Sequence, residues 1–129
     1  KNVKRQQGDV SEVHDELATG IATEVHHIFP KSQFPTIATY YENLILLTSS
    51  QHRQKAHPKG NTQVVAKDYQ LVCLMAKSQT IETSLNEGDN FYRKESFVGV
   101  INTGLTENLD EAISFADIRK FLVAKYLTF

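Results

Sequence analysis

Residues 24–32 read EVHHIFPKS and residues 42–57 read ENLILLTSSQHRQKAH. These two stretches hold His26, His27, His52 and His57, four of the five histidines in the chain. TEVHHI is rich in β-branched residues and reads as a short strand. On a strand, neighbouring side chains point to opposite faces, so His26 and His27 address different surroundings. NLILLT is a short apolar run and reads as a second strand. Thr48 and Gln51 have the spacing of a capping box, which starts a short helix near Ser49. Pro58 ends that helix and disfavours helical geometry at His57. A strand–strand–helix unit of this order can bring His26 and His52 around one divalent cation, magnesium, manganese, nickel or zinc. Neutral imidazole is a common ligand for the first-row metals among these. His27, on the other face, keeps an imidazole whose unperturbed pKa of about 6.5 suits a general base at neutral pH.

The rest of the chain sets bounds. Its 129 residues suit one domain with one core. No apolar run approaches the roughly 20 residues of a membrane span, and no signal-peptide pattern is visible. The chain begins at Lys1, so it is expected to be a piece of a longer protein. The one cysteine, Cys73, excludes internal disulfides and CxxC-paired zinc knuckles. It lies among apolar residues in YQLVCLMAK and reads as a core residue. A reducing, cytoplasmic compartment fits this usage. A formal net charge of −1 gives no global argument for nucleic-acid binding. The local balance differs. From residue 31 to 59, Lys31, Arg53, Lys55 and Lys59 stand against the single acid Glu42. Lys31, Arg53 and Lys55 are therefore candidates for holding phosphates.

Taken together, these residues resemble the core of the HNH, or ββα-metal, nucleases. The resemblance rests on the His26–His27 pair followed by a hydrophobic residue and Pro30, on ENL with Asn43, and on the helical His52 with Lys55 behind it. It covers about residues 23–58 and implies an α+β fold, a ββα-metal core with a short hairpin and surrounding helices. By this resemblance His26 and His52 ligate the metal, His27 is the general base, and Asn43 orients His27 or fixes the loop. The implied activity is metal-dependent hydrolysis of DNA phosphodiester bonds. A softer similarity of QKAHPKGNT and the segment after it to restriction and phage-defence proteins suggests a double-stranded substrate, with specificity read by a part outside this chain. Colicin-type members carry a further histidine four residues after the one matching His52. Here His57 is five residues on, about 140° away on a continuous helix. It is a candidate third ligand if the helix breaks before it.

Other readings stand beside this one. The four clustered histidines could close a structural zinc site in a non-catalytic module, at the cost of a bent backbone at the pair. A degenerate nuclease fold that only binds DNA is a third. His14 reads as a surface or satisfied core residue, and Phe29, Phe34, Tyr40 and Tyr41 as local core or loop packing. The remainder, 63–129, reads as helical. A helix over Gln63–Lys77 should bury Val65, Tyr69, Val72 and Ala76 against the histidine unit. FYRKESFVGVINTGL suits a helix stopped by Gly104 or, through Val98 and Val100, a strand. SFADIRKFLVAKY should place Ile118, Leu122 and Tyr126 on one face, with Ser114 as N-cap.

Overall fold

A computed structural model of the chain describes residues 2–57 and 66–129. The fold is α+β. After a short helix α1 (Asn2–Gln6) come strands β1 (Glu24–His27) and β2 (Leu44–Leu47), a helical turn α2 (Ser49–Gln51), and the long helices α3 (Lys67–Asn86), α4 (Lys94–Leu105) and α5 (Phe115–Tyr126). The strands pair antiparallel with Glu24 opposite Leu47 and His26 opposite Ile45. β2 is buried on both faces, which explains its unbroken apolar sequence. Ile45 and Leu47 enter the main core with Ile28, Cys73, Leu74, Phe97 and Ile118. Leu46, pointing the other way, packs under α1 on Val3 and Ala22. Directly opposed residues share a face, so His26 and Glu24 lie on the core side with Ile45 and Leu47, and His27 lies on the other.

The outer edge of β2 is closed without a third strand. The Glu12 backbone N–H donates to Leu46 O (3.0 Å) and the Leu46 N–H donates to Glu12 Oε2 (2.9 Å). The same carboxylate holds the buried ammonium of Lys77 at 3.1 and 3.2 Å, and Lys77 Nζ also donates to Tyr92 Oη (2.8 Å). Burial pushes the Lys77 pKa down and the Glu12 charge opposes it.

The helical remainder departs from expectation in two places. α3 runs well past Lys77, to Asn86. Tyr69 is buried and Ala76 half-buried, but Val72 is 42 % exposed; Val65 and the expected start at Gln63 lie outside the described residues. The inward stripe is instead Tyr69, Gln70, Cys73, Leu74, Lys77, Ser78 and Ile81. Ser84 is buried one turn further on, and its Oγ has no partner among the described residues; Gln70, Lys77 and Ser78 each find one. Gln70 Nε2 donates to Ile28 O (2.8 Å), Lys77 meets Glu12, and Ser78 Oγ donates to Met75 O (2.7 Å). Polar residues in the stripe hide it from a hydrophobic period. Gly104 does not stop α4. The helix ends at Thr106, whose φ of 55° is left-handed. Gly104 sits inside the last turn, where Phe29 crosses it: a Cβ there would overlap the Phe29 ring. α5 matches expectation, with Ile118, Leu122 and Tyr126 buried and Ser114 Oγ accepting from Asp117 N (3.1 Å).

Candidate metal centre

Three histidines converge. One ring nitrogen from each of His26, His52 and His57 lies within 4.8 Å of the other two, close enough for one metal ion to join them. Their ring centroids are 4.8–5.3 Å apart.

Each is positioned by a different local device. His26 is carried by the core face of β1 and is 2 % exposed. Its Nε2 is buried and has no hydrogen-bond partner among the described residues. A buried polar atom left in that state is costly unless something outside the chain satisfies it. Burial, reinforced by the neighbouring imidazoles of His57, His52 and His27, drives the His26 pKa down to about 3, so this ring presents a lone pair at neutral pH.

His52 follows directly on α2, whose start is fixed by the capping box. The Gln51 N–H donates to Thr48 Oγ1 (3.1 Å), and the Thr48 N–H donates to Gln51 Oε1 (2.9 Å). The Gln51 amide is fully used: its Oε1 also accepts from Ser11 Oγ (2.6 Å), and its Nε2 donates to Val13 O (2.7 Å) and Asp15 Oδ1 (3.0 Å). Segment 11–15 therefore anchors the helix that presents His52. Glu24 Oε1 lies 3.5 Å from His52 Nδ1. A carboxylate there favours the tautomer protonated on Nδ1 and leaves Nε2 to a metal. Burial and His57 lower the His52 pKa, partly offset by Glu24.

His57 arrives by a route the helical period does not anticipate. The helix does not break before it; it widens. Residues His52–Ala56 form a π-turn, closed by the His57 N–H donating to His52 O (3.2 Å). An i→i+5 bond wraps five residues where an α-turn wraps four, so His57 stands above His52 instead of far round the helix.

His27 is not in the cluster. Its Nε2 lies 3.1 Å from Ala38 O. A carbonyl only accepts, so Nε2 carries the proton and, in the neutral ring, Nδ1 carries the lone pair. Burial lowers its pKa, and so does the charge of Lys31, against the opposing bond to Ala38. Among the described residues, the Asn43 side chain makes its hydrogen bonds to Phe29 and Ile37 and none to His27. It is fully buried and clamps the connection between the strands: Oδ1 accepts from Phe29 N (2.9 Å), and Nδ2 donates to Phe29 O (3.1 Å) and Ile37 O (3.3 Å). Of its two expected roles, it fixes the loop. That clamp holds Ile37 next to Ala38, the carbonyl on which His27 rests.

Lys31 and Arg53 are exposed and, among the described residues, neither is in an ion pair. Lys55 is paired with Glu16. His14 is exposed, Phe29 packs edge-to-face on Phe34, and Tyr41 stacks on Phe91. Glu24 is the residue a sequence reading passes over, although it sits two positions before His26 and so on the same strand face. No helix among the described residues is long and apolar enough to cross a membrane. Comparison of the chain with protein-family models, with curated proteins and with solved structures finds no match.

Proposed function

We propose that the chain is a metal-dependent endonuclease of the HNH type that hydrolyses DNA phosphodiester bonds, with a ββα-metal core over about residues 23–58. The observation that carries this reading is the division of labour at the adjacent histidines. His26 turns inward to a three-imidazole cluster with a partnerless buried nitrogen. His27 turns outward, its tautomer set by Ala38.

His26, His52 and His57 would hold the ion. Three imidazole nitrogens with no carboxylate among them favour nickel or zinc over magnesium, which prefers oxygen ligands. A cation held there would neutralise charge growing on the phosphate and its leaving oxygen. His27 takes the proton of the attacking water on Nδ1 while Nε2–H stays on Ala38 O. Its lowered pKa keeps it unprotonated at neutral pH. Asn43 holds the loop that carries the Ala38 carbonyl, and so orients the base at one remove. Lys31, whose charge is felt at His27, and Arg53 are free to hold flanking phosphates. A non-catalytic zinc module calls for a fourth protein ligand; among the described residues the group whose ligand atoms could share one ion comprises His26, His52 and His57.

Plasmid cleavage with magnesium, manganese, nickel and zinc in parallel tests the proposal. Wild type should nick and linearise, best with the nitrogen-preferring metals. His27→Ala should lose about 10²–10⁴-fold in single-turnover rate while binding metal as wild type does. No cleavage by wild type with any of the four metals would overturn the nuclease reading, and loss of metal by His27→Ala would overturn the role given to His27.

A further inference from the structure

Lys55 stands in the same π-turn as the two helical histidines, three residues after His52 and two before His57. Unlike Lys31 and Arg53, it is already engaged: its Nζ donates to Glu16 Oε1 at 2.5 Å. Glu16 is not a stray surface acid. Both of its neighbours are fastened to the start of the helix that leads into that turn. Asp15 Oδ1 accepts from Gln51 Nε2 (3.0 Å) and from Leu17 N (2.9 Å), and Leu17 O accepts from Thr48 Oγ1 (2.6 Å). Asp15 Oδ2 also accepts from Tyr69 Oη on α3 (3.1 Å). The backbone on either side of Glu16 is thus fixed, and its carboxylate is delivered onto Lys55. The contact is open to water: the Glu16 side chain is 66 % exposed and that of Lys55 35 %. Exposed ion pairs of long side chains are weak and readily exchanged. A phosphate oxygen offers Lys55 the same kind of charge-assisted bond.

We propose that Glu16 is an internal competitor for substrate phosphate: it occupies Lys55 until a nucleic-acid phosphate displaces it, and so holds down the affinity of the site for duplex DNA. The inference rests on the nuclease reading, since it supposes that the face carrying Lys55 meets the phosphate backbone. It makes Glu16 a determinant of substrate affinity, 39 residues away in sequence from the cation it controls.

Fluorescence anisotropy on a short mixed-sequence duplex, with the metal-loaded His27→Ala protein as the non-cleaving parent, tests it. Glu16→Gln should raise affinity about two- to fivefold at low salt, and the gain should fade between about 50 and 200 mM salt. In a Lys55→Gln background the same change should do nothing, because the competition has lost its object. Glu111→Gln, an equal charge change at an exposed acid remote in sequence, should leave affinity unaltered. Metal affinity, read by competition with a chromophoric chelator, should be the same in all of these proteins. Absence of a gain in Glu16→Gln overturns the inference, as does a gain of equal size without Lys55. If the parent itself binds no DNA, the nuclease reading falls with it; if the parent binds and Glu16→Gln gains nothing, only the competitor role falls.

Discussion

Lys77 and His26 are buried to a similar degree, at 0 % and 2 % exposed, and are treated in opposite ways. In the scaffold, Lys77 has Glu12 on both carboxylate oxygens and the Tyr92 hydroxyl besides. In the histidine unit, His26 Nε2 has no partner among the described residues, and two more imidazoles crowd against its ring. A chain selected only to fold has no use for the second arrangement. The contrast teaches that the chain satisfies the buried Lys77 charge from within, whereas among the described residues it leaves the His26 nitrogen unsatisfied beside two further imidazoles.

Four experiments press on that contrast. The largest effect belongs to the scaffold. Glu12→Ala strands the Lys77 ammonium and should cost about 3–5 kcal/mol, read as a lowered urea midpoint; a loss below about 1 kcal/mol would mean the pair behaves as a surface one. Next comes completion of the centre. Nickel or zinc at about 100 times its Kd should raise unfolding stability by about 2.7 kcal/mol in wild type and not in His26→Leu. Equal stabilisation of both proteins would move the ion elsewhere.

The third effect is on pH. The folded-state pKa of His26 is about 3, below the unfolded value near 6.5. Between these values the unfolded chain binds the extra proton, so the metal-free protein is fully stable above about pH 6.5 and weakens as pH falls. The slope is about 1.4 kcal/mol per pH unit, or about 2 kcal/mol by pH 5. Urea titrations of wild type and His26→Leu at pH 7 and 5 should show this slope flattened in the variant. The smallest effect has the opposite sign to ordinary core damage. Without metal at pH 7, His26→Leu should be more stable than wild type by about 1 kcal/mol, because an apolar side chain replaces an unsatisfied polar one. A clear destabilisation would show that the ring nitrogen is satisfied after all.

What was legible in the sequence was local. The two strands as elements, the Thr48–Gln51 capping box and the Ser114 cap each depend on residues within a few positions of one another, and all are as read. His26 and His52 come together because two adjacent short elements leave few other placements. The illegible parts depend on distant partners. Gln70 and Lys77 disguise the inward face of α3, since what satisfies them is Ile28 O in one case and Glu12 in the other. Val72, the residue the apolar period marks as core, is left partly in solvent. The loop-fixing role of Asn43 is clear only once Phe29 and Ile37 are in place around it. Nothing near Lys55 in the sequence announces Glu16.

The π-turn bears on how such chains are recognised at all. A search pattern that demands the two helical histidines four apart would pass over HRQKAH. The widened turn absorbs one additional residue between His52 and His57 and still delivers both rings to one point. For this arrangement the spacing is better written as four or five, with the hydrogen bond from residue 57 back to residue 52 as the mark that the longer form is in use.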